Sequence, residues 1–168
     1  MKKLTLKSAN ELALKYFAKL KNTEWDTFTP MHSKEVAEMA KTLAERLGVD
    51  AQTVEIAGIL HDIGYAEGKK EGHAERSLEY IQMEGFEVSE TLKDCILNHS
   101  HNMNPKTIEG KIIQLSDKAS SFNPKLIYLL LDYGKGKDGK KGKVLEEDLK
   151  FLEKVSRTTI ELLKKFEY

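Results

Sequence analysis

The segment AGILHDIGY, residues 57–65, places two ionisable side chains, His61 and Asp62, at the end of an apolar run. Burial of an unpaired carboxylate is costly, so a core segment that contains one must supply a partner for it or use it to bind a ligand. Imidazole and carboxylate groups together suit divalent transition metal ions. The segment therefore raises the hypothesis of a metal site, which needs further ligands elsewhere in the chain.

The remaining sequence predicts an all-α protein, a single globular bundle of about seven or eight helices. Apolar residues recur at helical spacing through most of the chain, and no strand pattern competes with them. Ser8 and Glu11 have the spacing of a capping box, and Asp50 is a candidate N-cap. The predicted helices cover residues 9–21, a segment that ends at Gly48, residues 50–64, segments that begin near His73, at Ser89 and after Pro105, and residues 125–133 and 144–166.

Five ionisable residues lie on or beside the inward faces of predicted helices, and a sixth lies at the start of another predicted helix. Taken singly, an inward histidine is more often a hydrogen-bonded core residue than a ligand, but six such residues together favour a metal site. The carboxylate of Asp62 has two oxygen atoms and could bridge two ions, which a single imidazole could not. The six residues are His32, His61, Asp62, His73, His99 and Asp117.

Three segments resemble, in order and context, the motifs of the HD-domain superfamily of metal-dependent phosphohydrolases, which is named for an adjacent His-Asp pair. HSKEVAEMAKTLAERLGVD resembles the first histidine helix of that family, AGILHDIG matches its central motif almost letter for letter, and IIQLSDKAS resembles the segment with its final aspartate. The resemblance covers residues 30–122. It identifies four core ligands: His32, His61, Asp62 and Asp117.

Family members with two metals carry two further histidines between the His-Asp pair and the last aspartate. The segments EGHAERSLEY and CILNHSH resemble these two regions and assign His73 and His99 as additional ligands. His101 is the alternative to His99, and it could also be a proton donor to a leaving group or an ordinary surface residue. The resemblance implies two divalent ions, whose identity stays open among Fe, Mn, Co, Ni, Zn and Mg.

The reaction implied by the resemblance is hydrolysis of a phosphate ester, mono- or diester, by a metal-activated water. Asp62, His61 and Asp117 are the expected catalytic residues, and no serine or cysteine nucleophile motif is present. The expected substrate is a small, nucleotide-like phosphorylated molecule. Two alternatives stay open: a di-iron oxygenase, because some relatives use the same six-ligand pattern to activate oxygen, and a non-catalytic module that senses a nucleotide.

Cationic residues near the expected ligands are candidates for binding a substrate phosphate. Arg76 lies one helical turn after His73 and could clamp a phosphate in a bidentate manner, although a solvated helix charge is the simpler interpretation. The lysines could attract an anion, but lysine is so frequent in this chain that each one is weak evidence. The candidates are Arg76, His101, Lys69, Lys70 and Lys118.

Composition excludes a strong bulk attraction to nucleic acid or to a membrane surface. Lys and Arg number 27, as do Asp and Glu, so the formal net charge is zero. The single cysteine and the absence of an apolar leader favour a cytoplasmic protein without disulfides. We expect one domain over residues 1–168, with a helical extension over 123–168 that contains a flexible Gly/Lys loop, 134–143. The long last helix could support a homodimer.

Overall fold

A computed structural model describes residues 2–20, 26–124, 126 and 141–166, and of residues 141–149 only the backbone. The fold is all-α, as predicted. The described residues form seven α-helices: α1 (Leu6–Phe17), α2 (Phe28–Leu47), α3 (Ala51–Leu60), α4 (His73–Met83), α5 (Glu90–Leu97), α6 (Ile108–Ala119) and α7 (Lys141–Lys165). Short 3₁₀ helices cover Ala18–Leu20, Ile63–Glu67 and Ser120–Phe122.

Helix α1 begins three residues earlier than predicted, because its N-cap is Thr5 rather than Ser8. The Thr5 hydroxyl accepts a hydrogen bond from the Ser8 amide at 3.2 Å, and the Ser8 hydroxyl accepts one from the Thr5 amide at 2.9 Å. Serine thus takes the N3 position that glutamate usually occupies in a capping box. The prediction that Asp50 caps α3 is confirmed, since its carboxylate accepts from the amides of Gln52 and Thr53.

Helix α3 ends at Leu60, so the prediction that His61 and Asp62 lie in its last helical turn is wrong. His61 is the C-cap, and Asp62 leaves the helical region with φ −109° and ψ 8° before the next 3₁₀ helix begins. Adjacent residues of a regular α-helix point about 100° apart around the axis. The break at Asp62 removes this constraint and lets the two neighbouring side chains reach the same site.

Helix α5 likewise ends at Leu97, and His99 follows it in the next turn rather than on its apolar face. The C-terminal helix α7 begins at Lys141, three residues before the predicted start. The last three residues of the predicted Gly/Lys loop therefore belong to α7. The remainder of that loop, residues 134–140, and the predicted helix 125–133, apart from Leu126, lie outside the described residues.

Helix α3 lies at the centre of the bundle, where it packs against α1, α2, α5 and α6. Its residues Val54, Ala57 and Leu60 are completely buried. The contact with α2 is especially close: a β-carbon at Gly58 would lie 2.5 Å from the α-carbon of Ala37. This close packing fixes the C-terminal end of α3, and with it the His-Asp pair, against the helix that contains His32.

Candidate metal centre

The six residues predicted as ligands converge on one buried site. Each comes from a different position in the bundle: His32 from the first turns of α2, His61 and Asp62 from the end of α3, His73 from the start of α4, His99 from beyond α5, and Asp117 from α6. Five of them are almost fully buried, with exposed fractions from 0% to 7%. The sixth, His73, is partly buried, with 13% of its side chain exposed.

The two oxygen atoms of Asp62 face two different groups of ligands. Oδ2 lies 3.2 Å from His61 Nε2 and 3.8 Å from His32 Nε2. Asp117 completes this group, with its Oδ1 at 2.9 Å from His32 Nε2 and 3.8 Å from His61 Nε2. We call the group formed by His32, His61, Asp117 and Asp62 Oδ2 the inner group.

The other oxygen of Asp62 faces two histidines. Oδ1 lies 3.4 Å from His73 Nε2 and 3.7 Å from His99 Nε2. These two nitrogen atoms are themselves 2.9 Å apart. We call the group formed by His73, His99 and Asp62 Oδ1 the outer group. Asp62 therefore contacts two adjacent sets of donor atoms, one through each of its carboxylate oxygens.

All four imidazole rings are held through Nδ1, so that Nε2 faces the site. Nδ1 of His61, His73 and His99 each contacts a main-chain carbonyl, those of Gly58, Lys70 and Ile96, at 2.7–2.8 Å. Nδ1 of His32 lies 3.2 Å from the hydroxyl of Ser120, which in turn donates to the Asp117 carbonyl at 3.0 Å. These acceptors favour the tautomer with a proton on Nδ1, which leaves the Nε2 lone pair free for a ligand.

Two buried polar atoms of the site have no hydrogen-bond partner within the part of the chain that the structure describes: His61 Nε2 and Asp62 Oδ1. A buried polar atom without a partner costs on the order of 1–3 kcal/mol. In the outer group, the Nδ1 contacts leave the lone pairs of His73 and His99 facing each other at 2.9 Å. Two ligand nitrogens each about 2.1 Å from one ion are about 3 Å apart when they subtend a right angle at it. The donor set thus fits a metal ion.

The electrostatics of the site also favour a cation. Burial by itself lowers the pKa of His61, but the charges of Asp62 and Asp117 outweigh burial and raise it to about 9. Burial would raise the pKa of the Asp62 carboxyl, yet the neighbouring His61 holds it below its ordinary value. Burial, together with the charge of His61, lowers the pKa of His99 to about 4. Burial would also raise the pKa of the Asp117 carboxyl, but Lys118 and His32 hold it well below its ordinary value. Both carboxyls thus favour the ionised form and positive charge nearby.

The structure places the five candidate substrate residues around this site with different contacts. Lys118 donates to Asp117 Oδ2, whereas Oδ1 of the same carboxylate contacts His32 and His61. The charge of Asp117 outweighs burial and raises the pKa of the lysine. His101, Lys69 and Lys70 are exposed. For Lys69 and Lys70 it is the main-chain carbonyls that make the contacts, with Arg76 and His73 respectively.

Arg76 does not present a free guanidinium group to a ligand. Its three nitrogen atoms donate to the carbonyls of Gly64, Glu71 and Lys69. A bidentate phosphate clamp would have to replace these hydrogen bonds. Arg76 does lie one helical turn after His73 in α4, as predicted. A pattern of residue types does not reveal the main-chain carbonyls that surround its guanidinium group.

Three residues that support the site were not predicted from the sequence. Ser120 contacts His32, and the ring of Tyr65 stacks on that of His73 with centroids 4.5 Å apart. Ser77, completely buried, accepts from the Gly64 amide at 2.9 Å and lies within 2.7 Å of the His61 carbonyl. Ser120 lies three residues after Asp117, Tyr65 three after Asp62 and Ser77 four after His73, so proximity to a ligand in the sequence is the signal that could have identified them.

The chain is similar in sequence to several known proteins. The family described as HD domain matches residues 31–121, which include all six residues. A deoxyguanosinetriphosphate triphosphohydrolase-like protein from Caldanaerobacter subterraneus is 30% identical over 110 residues, 55% of this chain and 32% of that protein. Ribonuclease Y from Thermoanaerobacter pseudethanolicus is 35% identical over 95 residues, 55% of this chain and 18% of the relative. The chain thus spans less than half the length of these curated relatives.

A solved structure resembles the chain over nearly its whole length. It is described as a predicted HD superfamily hydrolase from an uncultured Thermotogales bacterium, and it covers 93% of this chain with a TM-score of 0.62 and 26% sequence identity. The match extends over 92% of that protein.

Among the described helices, none is both long enough and apolar enough to span a bilayer.

Proposed function

The chain belongs to the HD domain family, a family of hydrolases, and from this premise we propose that it is a metal-dependent phosphohydrolase acting on a small, nucleotide-like phosphate ester. One observation carries the proposal: the two oxygens of Asp62 face two separate groups of imidazole nitrogens at 3.2–3.8 Å. A carboxylate shared in this way can serve as a ligand of two ions at once. The proposed ligands are His32, His61, Asp62, His73, His99 and Asp117.

Divalent ions bound by these residues would act as Lewis acids toward phosphoryl oxygens and lower the pKa of water. The residues of the chain supply the remaining requirements. Asp62 holds the two groups of donors at a fixed separation, while His61 and Asp117 orient the inner group. Because all four Nδ1 atoms are already engaged, the imidazoles need little reorganisation when they bind a ligand. The same four contacts keep the rings from rotating during turnover.

The substrate class is supported by charge and by the relatives. One curated relative is named for its likeness to a deoxyguanosine triphosphate triphosphohydrolase, and the other is named a ribonuclease. A net charge of zero gives this chain no bulk attraction to a polyanion, which favours a small molecule over a nucleic acid polymer. Positive charge near the site comes from Lys118 and, at the surface, from Lys69 and Lys70. We propose these three residues and His101 as the substrate-facing groups.

The proposal is tested by elemental analysis of purified protein together with a screen for phosphate release from nucleotides and phosphodiesters. We expect bound divalent metal and turnover of at least one class. Asp62→Ala should remain folded but lose metal and activity, whereas Glu79→Ala, an exposed acid on α4, should retain both. Unchanged metal content in Asp62→Ala would contradict the assignment. Oxygen consumption by an iron-loaded sample, without phosphate release, would instead favour the oxygenase alternative.

Cytoplasmic location, a homodimer and a single domain over residues 1–168 stay predictions of the sequence. Size-exclusion chromatography with light scattering measures the oligomeric state directly. A mass of about 19.1 kDa in solution would indicate a monomer, and twice that mass would indicate the dimer.

A further inference from the structure

Arg76 connects the two stretches of chain on either side of the outer group. Its Nε donates to the Gly64 carbonyl at 3.0 Å, two residues after Asp62. Its Nη1 donates to the Glu71 carbonyl at 2.6 Å, and its Nη2 donates to the Lys69 carbonyl. The second and third bonds hold the loop that leads directly into His73. One planar side chain thus fixes the distance between the turn after Asp62 and the start of α4.

The neighbouring residue Ser77 strengthens the same junction. Its hydroxyl accepts from the Gly64 amide at 2.9 Å and lies 2.7 Å from the His61 carbonyl and 2.9 Å from the His73 carbonyl. The Nδ1 of His73 in turn contacts the Lys70 carbonyl at 2.7 Å, within the loop that Arg76 holds. The orientation of the His73 ring therefore depends on a loop whose conformation is maintained by Arg76.

Apart from the shared Asp62, the residues of the inner group have no such dependence on a loop. His32 lies within α2 and Asp117 within α6, and the two helices pack against each other. His61 is held by its own helix through the Gly58 carbonyl. Helices that are buried on several sides keep their side chains in place more firmly than a polar loop with exposed lysines does. The two groups of donors thus differ in how they are supported.

We propose that Arg76 is a positioning residue for the outer group, and that the ion bound by His73, His99 and Asp62 depends on its guanidinium while the ion of the inner group does not. This inference rests on the proposed metal site. It assigns Arg76 a role in loading the second ion rather than in gripping the substrate. The supporting partners of metal ligands are typically worth about 10–100-fold in metal affinity, which sets the size of the effect to expect.

The test is a titration of metal-free protein with Mn²⁺, followed by calorimetry and electron paramagnetic resonance. Wild-type protein should bind two ions and show the spectrum of an exchange-coupled pair. Arg76→Gln and Arg76→Lys should bind the first ion normally and the second about tenfold or more weakly. Lysine is informative because it keeps the charge but cannot reach three carbonyls with a planar fork. His73→Ala should give the same uncoupled, one-ion spectrum.

The matched control is Arg157→Lys, since Arg157 is exposed on α7 and pairs with Glu153. It should bind both ions as the wild type does. Wild-type affinity for both ions in either Arg76 variant would overturn the inference, and so would an equal loss of both ions in a variant whose thermal unfolding is unchanged. If Arg76→Gln does not fold, Arg76→Lys decides. A wild-type protein that binds no ion would refute the proposed function itself, and one that binds a single ion would refute the inference alone.

Discussion

Gly64 and His73 lie in direct backbone contact: a β-carbon at position 64 would be 1.9 Å from the His73 carbonyl oxygen. No side chain fits in this gap, so the turn after the His-Asp pair and the start of α4 can approach only because residue 64 is glycine. We expect Gly64→Ala to lower the free energy of unfolding by about 1–3 kcal/mol, as for other overpacked sites. Urea denaturation measures this loss.

The same substitution should also displace His73 and weaken metal binding. Gly48→Ala is the matched control, because Gly48 has a positive φ of 70° but open space around it. Its cost is backbone strain alone, about 1 kcal/mol, without an effect on the site. A Gly64→Ala protein with the metal content and stability of the wild type would show that the contact is unimportant.

The types and approximate positions of the six candidate ligands could be predicted because each lies next to an apolar helical pattern and within a segment that resembles an HD-domain motif. The ends of the helices could not. The sequence pattern at positions 61 and 62 is helical, yet the two neighbouring side chains face the same site because the chain leaves the helical conformation at Asp62. The 3₁₀ helix that follows is bonded to Ser77 through the Gly64 amide. His99 was likewise assigned to α5, although it faces the site from the turn beyond Leu97 through its bond to the Ile96 carbonyl.

Arg76 shows a second limit of prediction from sequence. Its position one turn after His73 allows either a phosphate clamp or, as the simpler interpretation, a solvated helix charge, and the structure shows neither of them. Whether a guanidinium faces a ligand or the main chain depends on where the loop carbonyls of residues 69–71 point, and a pattern of residue types does not contain that information. The N-cap of α1 was missed for a similar reason: Ser8 and Thr5 are both good caps, and only the geometry selects between them.

Asp94 should contribute a pH-dependent part of the stability. Its carboxylate accepts hydrogen bonds from the Thr107 amide at 2.8 Å and hydroxyl at 2.6 Å, from the Lys106 amide and from Asn98. It thereby ties α5 to the start of α6. Burial would raise the pKa of this carboxyl, but the bonds from Thr107, Lys106 and Asn98 outweigh burial and hold it below its ordinary value.

A carboxyl with a lowered folded-state pKa stabilises the protein above its unfolded pKa and loses that contribution as the pH falls through the folded value. Asp94→Asn should therefore lower the free energy of unfolding by about 1.5–3 kcal/mol at pH 7, and the difference from the wild type should shrink below about pH 4. Denaturation of both proteins at several pH values gives this difference. The site carboxylates titrate in both proteins, so they cancel. A difference independent of pH would contradict the assigned role.

Metal binding should stabilise the folded protein, because the donor atoms are assembled only in the folded state. At a free ion concentration about 100 times the dissociation constant, one ion adds about 2.7 kcal/mol to the free energy of unfolding. Thermal unfolding with Mn²⁺ and after chelation measures this effect. Asp62→Ala should show no increase. A melting temperature of the wild type that does not respond to either treatment would mean that the site binds no ion under these conditions.

Cys95 should report on the opening of the bundle near the site. Its thiol is completely buried in α5, and burial raises its pKa above the ordinary value, so at pH 8 a disulfide reagent should not label the native protein. Labelling then requires α5 to separate from the core.

Metal binding should oppose this separation. Because His99 follows α5 by two residues, an ion bound there would connect this helix to Asp62. We expect added Mn²⁺ to slow labelling of the wild type by the factor that corresponds to the stability gained, and to slow labelling of His99→Ala less, because that variant keeps only the inner group intact. Rapid labelling of the native protein, or equal slowing of His99→Ala, would separate the dynamics of α5 from the metal site.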